Sequence, residues 1–316
     1  MKRAAKIVVI LLAVLSAAVA AALLFGAEWA SPFSQDPGQR AIFFDIRLPR
    51  VLLGACVGAS LAVAGAALQA LLRNPLAEPY LLGVSNGAAL GTMLAFVVFG
   101  NYVFARPLLA FAGAAAASVL VYSLAKTRAG MNVERLVLSG VIVTTFLSSV
   151  IIMLTTLLDA ARLRSFTFWL LGDLSQATWS GVYLSFGAAV IATIILTSQA
   201  RALNLMMLGE RDAVDFGVEV GRVRLVVFGA SSLVVGAAVA ASGSVGYVGL
   251  IVPHLLRLAV GSDNRIVVPM SAIAGAAFVV LADLAARVAI APRELPVGAI
   301  TALLGAPLFV YLLRKN

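Results

Sequence analysis

Lysine is almost missing from this 316-residue chain, which has only Lys2, Lys6, Lys126 and Lys315. A Walker A phosphate loop needs a lysine directly after its glycines to reach the nucleotide phosphates, and none of the four stands in that context. The chain is therefore not expected to hydrolyse ATP. One cysteine and one histidine exclude a disulfide framework and any multi-ligand Cys/His metal site. Any hydrolytic triad would have to use His254, which follows Pro253 near a span end and reads as a structural helix-terminal residue, just as Cys56 reads as a small packing residue. Charge is scarce too, at 12% of residues against 62% hydrophobic, with a mean hydropathy of +1.05. These values lie outside the range of soluble domains and specify an integral membrane protein.

Apolar runs long enough to cross a bilayer as helices recur at Ile7–Phe25, Val51–Leu72, Leu81–Phe99, Pro107–Leu124, Leu136–Leu158, Val182–Leu196, Leu225–Ala241, Val245–Val260, Ile266–Ala282 and Pro296–Leu313. The expectation is an all-α integral membrane protein of about ten transmembrane helices, with residues 1–316 forming one domain in the lipid bilayer. The first run imitates a signal peptide but is long for one, and reads as an uncleaved span. Ten spans put both termini on one side. Fifteen of the 23 basic residues then fall in loops on that side and eight on the other, which places both termini in the cytoplasm by the positive-inside rule. Eight outside is nevertheless many. Arg47, Arg50, Arg287 and Arg293 lie at outer span ends, either as snorkelling lipid anchors or as a basic rim built for an acidic partner.

The segment 208–221 is the other charged anomaly, a short amphipathic stretch in the cytoplasm of an otherwise apolar chain. Leu208, Ala213, Phe216 and Val220 are expected to share one side, with Glu210, Arg211, Asp212, Asp215 and Glu219 around the rest, and Gly217 is expected to break the helix. By shape alone it is either a solvated surface helix or a docking element. The small residues Gly58 and Gly65 permit close helix packing, while Gly83 to Gly87 can bend a helix and expose backbone to a pore. A mostly uncharged translocation path is expected along Gly58, Gly65, Ser85, Asn86, Thr144 and Ser148, although the same residues serve packing. Ion-coupled transport, the alternative function, calls for ionisable groups deep in the spans. The candidates Asp45, Glu78, Asp283 and Glu294 all sit at span ends or in turns.

Five motifs, Ile46 to Arg50, Asn74 to Pro79, Leu82 to Gly87, Gly246 to His254 and Glu294 to Gly298 with Gly305 to Pro307, together resemble the FecCD/BtuC-type permeases, membrane subunits of type II ABC importers for iron-siderophores, haem and cobalamin. The resemblance implies a homodimer in the bacterial inner membrane, with two cytoplasmic ABC ATPase subunits and a periplasmic or lipid-anchored substrate-binding protein. No nucleic-acid partner is expected. It also implies alternating access as the mechanism, no catalytic residues, and no cofactor in this chain, since ATP and Mg belong to the partner subunit. By the same resemblance Leu208, Gly209, Glu210, Asp212, Ala213, Asp215, Phe216, Gly217 and Glu219 form the coupling helices that dock on the ATPase. Arg47, Arg50 and Arg287, with Arg293 less firmly, pair with acidic residues of the binding protein.

Overall fold

A computed structural model describes residues 2–26, 32–99, 105–127 and 130–315; Arg128, counted among the inner-loop cations, lies outside them. Fourteen α-helices follow one another: α1 (Lys2–Leu24), α2 (Pro37–Ala41), α3 (Leu48–Leu72), α4 (Val84–Leu94), α5 (Ala105–Ala125), α6 (Val133–Thr155), α7 (Ala160–Leu170), α8 (Trp179–Ser198), α9 (Ala200–Leu208), α10 (Glu210–Asp215), α11 (Val220–Ser242), α12 (Val248–Val260), α13 (Asn264–Val288) and α14 (Val297–Lys315). A π-helical turn, Ile42–Arg47, joins α2 to α3, and another, Ala95–Phe99, extends α4. The only strands among the described residues, Lys126–Thr127 and Gly130–Met131, pair antiparallel before α6. Local sequence sets several starts. Asn132, Asp159, Thr178 and Asp263 each accept the N–H of a residue two or three further on, at 2.9 to 3.2 Å, satisfying donors that the first helical turn leaves orphaned.

Among the described residues seven helices have the length and hydropathy to cross a bilayer, and three apolar stretches are shorter, Val84–Phe99, Val248–Val260 and the Val297–Leu308 part of α14. The expected ten spans are thus corrected to seven. The physical reason is length: thirteen residues of α12 rise about 20 Å at 1.5 Å each, short of the roughly 30 Å hydrocarbon core. Glycine and non-helical connections interrupt the hydrophobic runs that a composition window joins into one.

The bundle is built around α3. Its Ala- and Gly-rich sequence presents almost no side-chain bulk, so α8, α11, α12 and α13 all pack on it and it is buried along most of its length. At Gly58 a β-carbon would meet the carbonyl oxygen of Gly275 in α13, with the carbonyl carbon at 2.7 Å and Val279 Cγ2 at 2.9 Å; at Gly65 it would meet the carbonyl of Gly249. Both glycines are helix-contact points where backbones touch. By contrast α1 is apolar all round beyond Lys6, buries Ala18 and Ala22 against Val51 and Val280, and leaves most of its surface open, as suits a helix facing lipid.

Candidate functional site

At one end of the bundle α9 runs through the extended Gly209 into α10, which lasts six residues. The chain then closes in a Schellman motif. Gly217 takes φ +79°, its N–H donates to Val214 O at 2.8 Å, and Val218 N–H donates to Ala213 O at 2.9 Å; glycine meets the left-handed conformation without a β-carbon penalty. The break anticipated at Gly217 is therefore real, but the expected shared side is not. Ala213 is buried, while Leu208 at 74% and Phe216 at 71% exposure point outward with Val214. The four positions do not share one helix: Leu208 ends α9, Ala213 is in α10, Phe216 follows it and Val220 opens α11, and the extended Gly209 and left-handed Gly217 break the helical register between them. Asp212, Asp215 and Glu219 are exposed beside the apolar side chains. Glu210 anchors the segment, pairing with Arg224 at the start of α11 and lying 4.0 Å from Arg73 at the end of α3.

The opposite end holds the arginines, and there the structure corrects the expectation of a free basic rim. Arg47, Arg50 and Arg287 are only 5%, 7% and 4% exposed. Arg50 donates through Nε to both oxygens of Asp283, at 3.0 and 3.2 Å, and through Nη1 to Glu294 at 2.7 Å. Arg287 lies 3.0 Å from Asp283 and donates to Ala22 O at 3.1 Å, while Arg47 donates to Leu23 O at 2.8 Å. Two guanidiniums thus cap the carbonyls that the last turn of α1 leaves unpaired. Burial selects this use: a guanidinium taken out of water must find acceptors nearby. Of the four expected docking cations only Arg293 is exposed.

A cavity of about 350 Å³ lies between α4, α6 and the connection after α11, lined by Tyr80, Ser85, Asn86, Val141, Thr144, Thr145 and Ser244. Asn86 Nδ2 donates to Thr144 O at 3.0 Å and Ser148 Oγ at 2.6 Å. Of the expected path residues, Ser85, Asn86 and Thr144 line the cavity and Ser148 adjoins it through that bond. Gly58 and Gly65 do not line it, because their Cα faces are closed by the backbones of α13 and α12.

The short 3-10 turn Pro79–Leu82 before α4 and the connection between α11 and α12 are clasped together beside this cavity. Tyr80 Oη exchanges hydrogen bonds with both the N–H and the C=O of Val245, each at 2.9 Å, and Glu78 Oε1 accepts the N–H of Tyr247 at 2.6 Å. Tyr247 itself adopts φ +67°, a conformation costly for a residue with a side chain, and the Glu78 bond helps hold it there. Pro253 lacks the N–H that would serve Gly249 O within α12; Gln69 Nε2 donates to that carbonyl at 3.2 Å and to Leu250 O at 3.1 Å. From the sequence Glu78, Asp283 and Glu294 stand only as candidates for ion coupling, and Gln69 and Tyr80 carry no expected role. Their signal was weak but present, as polar groups inside or at the ends of apolar runs. Near the α10 end, hydrogen bonds from Arg265 hold the Asp263 carboxyl down to about 2.

The model of the FecCD transport family matches residues 7–315. The cobalamin import system permease protein BtuC of Halobacterium salinarum is 44% identical over 271 residues, covering 86% of this chain and 73% of that one. The hemin transport system permease protein HmuU of Yersinia pestis is 40% identical over 280 residues, 87% of this chain and 84% of its own. A solved inward-facing ABC transporter of metal-chelate type superposes with a TM-score of 0.88 at 35% identity, covering 98% of this chain and 99% of that one.

Proposed function

This chain belongs to the FecCD transport family as a non-catalytic, multi-pass permease subunit of the ABC importer class, and we propose that it carries a metal chelate, namely an iron-siderophore, haem or cobalamin. The relatives named for cobalamin and hemin support that cargo class. The working unit in this reading is a homodimer in the cytoplasmic membrane, with two ATPase subunits at the α10 end and a binding protein at the arginine end.

The observation that carries the reading is the α10 segment. A membrane bundle that displays Leu208, Val214 and Phe216 to water beside Asp212, Asp215 and Glu219, on a backbone fixed by a Schellman cap and the Glu210–Arg224 pair, presents a stiff apolar and acidic surface for a soluble partner. Alternating access then follows if ATP-driven closure of the partner subunits moves α9 and α10 and these shift the bundle. The cavity beside Ser85, Asn86 and Thr144 is lined by neutral polar groups and is small for a chelate, so a path for large cargo would lie mainly between two copies, with this wall contributing weak contacts. At the other end the proposed contact for acidic groups of the binding protein centres on exposed Arg293, while Arg47, Arg50 and Arg287 hold the platform.

Co-expression with the ATPase and binding-protein subunits, detergent purification and reconstitution into proteoliposomes tests this. ATP-dependent accumulation of cyanocobalamin, hemin or a ferric siderophore is the expected result. A chain that recruits no ATPase, or that moves cargo on an ion gradient alone, refutes it.

A further inference from the structure

Between α9 and the bundle lies a polar cluster that neither the docking surfaces nor the cavity uses. Asn204, in the middle of α9, accepts at Oδ1 from the backbone N–H of Asn264 at 2.9 Å and from its Nδ2 at 2.8 Å, and donates through Nδ2 to Asp263 Oδ1 at 2.7 Å. The amide orientation is dictated by its neighbours, because a backbone N–H demands an acceptor on one side and a carboxylate demands a donor on the other. Asn264 is fully buried at the first position of α13, and its Oδ1 accepts from Arg257 Nη2 of α12 at 2.9 Å. The same Nη2 reaches Ala66 O of α3 at 3.1 Å, and Nη1 reaches Ser262 O at 3.4 Å. Four helices, α9, α12, α13 and α3, therefore meet in one continuous hydrogen-bonded cluster.

The alternative tie between the α10 segment and the bundle is weaker. Glu210 is half exposed where it meets Arg224 and Arg73, and water and salt screen such pairs. The Asn204 cluster is part-buried and centred on the fully buried Asn264, and it is stiffer because moving a member leaves the polar groups of Asn264 without partners where water does not reach them.

We propose that Asn204, Asn264 and Arg257 are positioning residues forming the joint that passes a displacement of α9 and α10 to α3 and α13. The proposal rests on the importer reading. Its consequence is that removing the joint separates ATP hydrolysis from movement of the bundle without removing the docking surface itself.

The test uses the full complex in proteoliposomes, with cyanocobalamin and hemin as cargo probes and ATP-dependent hydrogen exchange over residues 264–275 as a readout that needs no cargo. Asn204→Ala should still recruit ATPase subunits that hydrolyse ATP, while uptake per ATP falls about tenfold and the ATP-dependent exchange disappears. Asn204→Asp should behave in the same way, because it sets a second carboxylate against Asp263. Combining Asn204→Asp with Asp263→Asn exchanges the two side chains, so that position 263 donates to position 204, the acceptor for Asn264 is kept and a helix cap remains, and it should recover most of the coupling. A role in folding alone would not yield a complex that assembles and hydrolyses ATP yet regains transport through this exchange. Unchanged uptake per ATP and unchanged exchange in Asn204→Ala overturn the joint and leave the importer reading standing. Failure of the double variant to recover either readout, in a complex assembled to wild-type amounts, also overturns it. A wild-type chain that recruits no ATPase removes both readings.

Discussion

Adding one methyl group to Gly58 is the sharpest probe of how this bundle is held together. The new β-carbon would meet the carbonyl of Gly275, with the carbonyl carbon at 2.7 Å and Val279 Cγ2 at 2.9 Å, whereas carbon atoms pack best at about 3.5–4.0 Å. Backbone cannot rotate out of the way as a side chain can, so α3 and α13 must part by about 1 Å, which forfeits between a quarter and half of each affected dispersion contact. The expected cost is about 1–3 kcal/mol. It should spread to the Arg50–Asp283 pair, because Asp283 lies two turns, about 12 Å, beyond Gly275 on the same helix. Gly275→Ala should act alike, since its β-carbon would face Gly58 O and come within 2.5 Å of Ala62 Cβ. The two substitutions share one contact and should be non-additive. Gly187 in α8 and Gly229 in α11 meet nothing within 4 Å. There the same change should be neutral or stabilising by about 0.5–1 kcal/mol, through the better helix propensity of alanine. Unfolding of the purified protein from dodecylmaltoside into SDS, followed by circular dichroism, measures all four. A Gly58→Ala protein as stable as wild type, or a Gly187→Ala protein damaged as badly as Gly58→Ala, would refute the reasoning.

Three further outcomes follow from the named contacts. Asp283→Ala leaves Arg50 and Arg287 buried with one carboxylate fewer and should destabilise by about 3–5 kcal/mol in the same assay; a loss under 1 kcal/mol would show that water reaches the site. Phe216→Asp should leave the bundle folded, as judged by circular dichroism, and abolish co-purification of the ATPase or uncouple its activity, because an exposed apolar anchor becomes a charge at the interface; wild-type uptake in proteoliposomes argues against the docking surface. The Asp263 carboxyl is held near 2 by Arg265, below the ordinary value of about 3.9. Its contribution to the start of α13 is therefore complete above about pH 4 and is lost as pH falls through about 2. Hydrogen exchange at residues 264–268 should rise across that window in wild type and not in Asp263→Ala.

Composition and hydropathic runs determined by themselves that this chain is helical and lives in a membrane, and the shortage of lysine excluded an ATPase. The charged stretch 208–221 and the helix break at Gly217 were legible for the same reason: they are local, written in neighbouring residues and in a backbone angle that glycine adopts readily. What lay beyond reach depends on groups far apart in sequence. Arg50 meets Asp283 across 233 positions and Asn204 meets Asn264 across 60. No local pattern distinguishes an arginine reaching for headgroups from one capping a neighbouring helix. Gly58 and Gly65 offered the same ambiguity, since a glycine suits a pore wall and a close helix crossing equally, and only the position of the opposing carbonyls decided for the crossing. The span count shifted from ten to seven because a hydropathy window measures apolar content, whereas crossing a bilayer requires unbroken helical rise. Tertiary structure decided these points because burial forces every buried charge and carbonyl to find a specific partner, and which partner is within reach is set by packing.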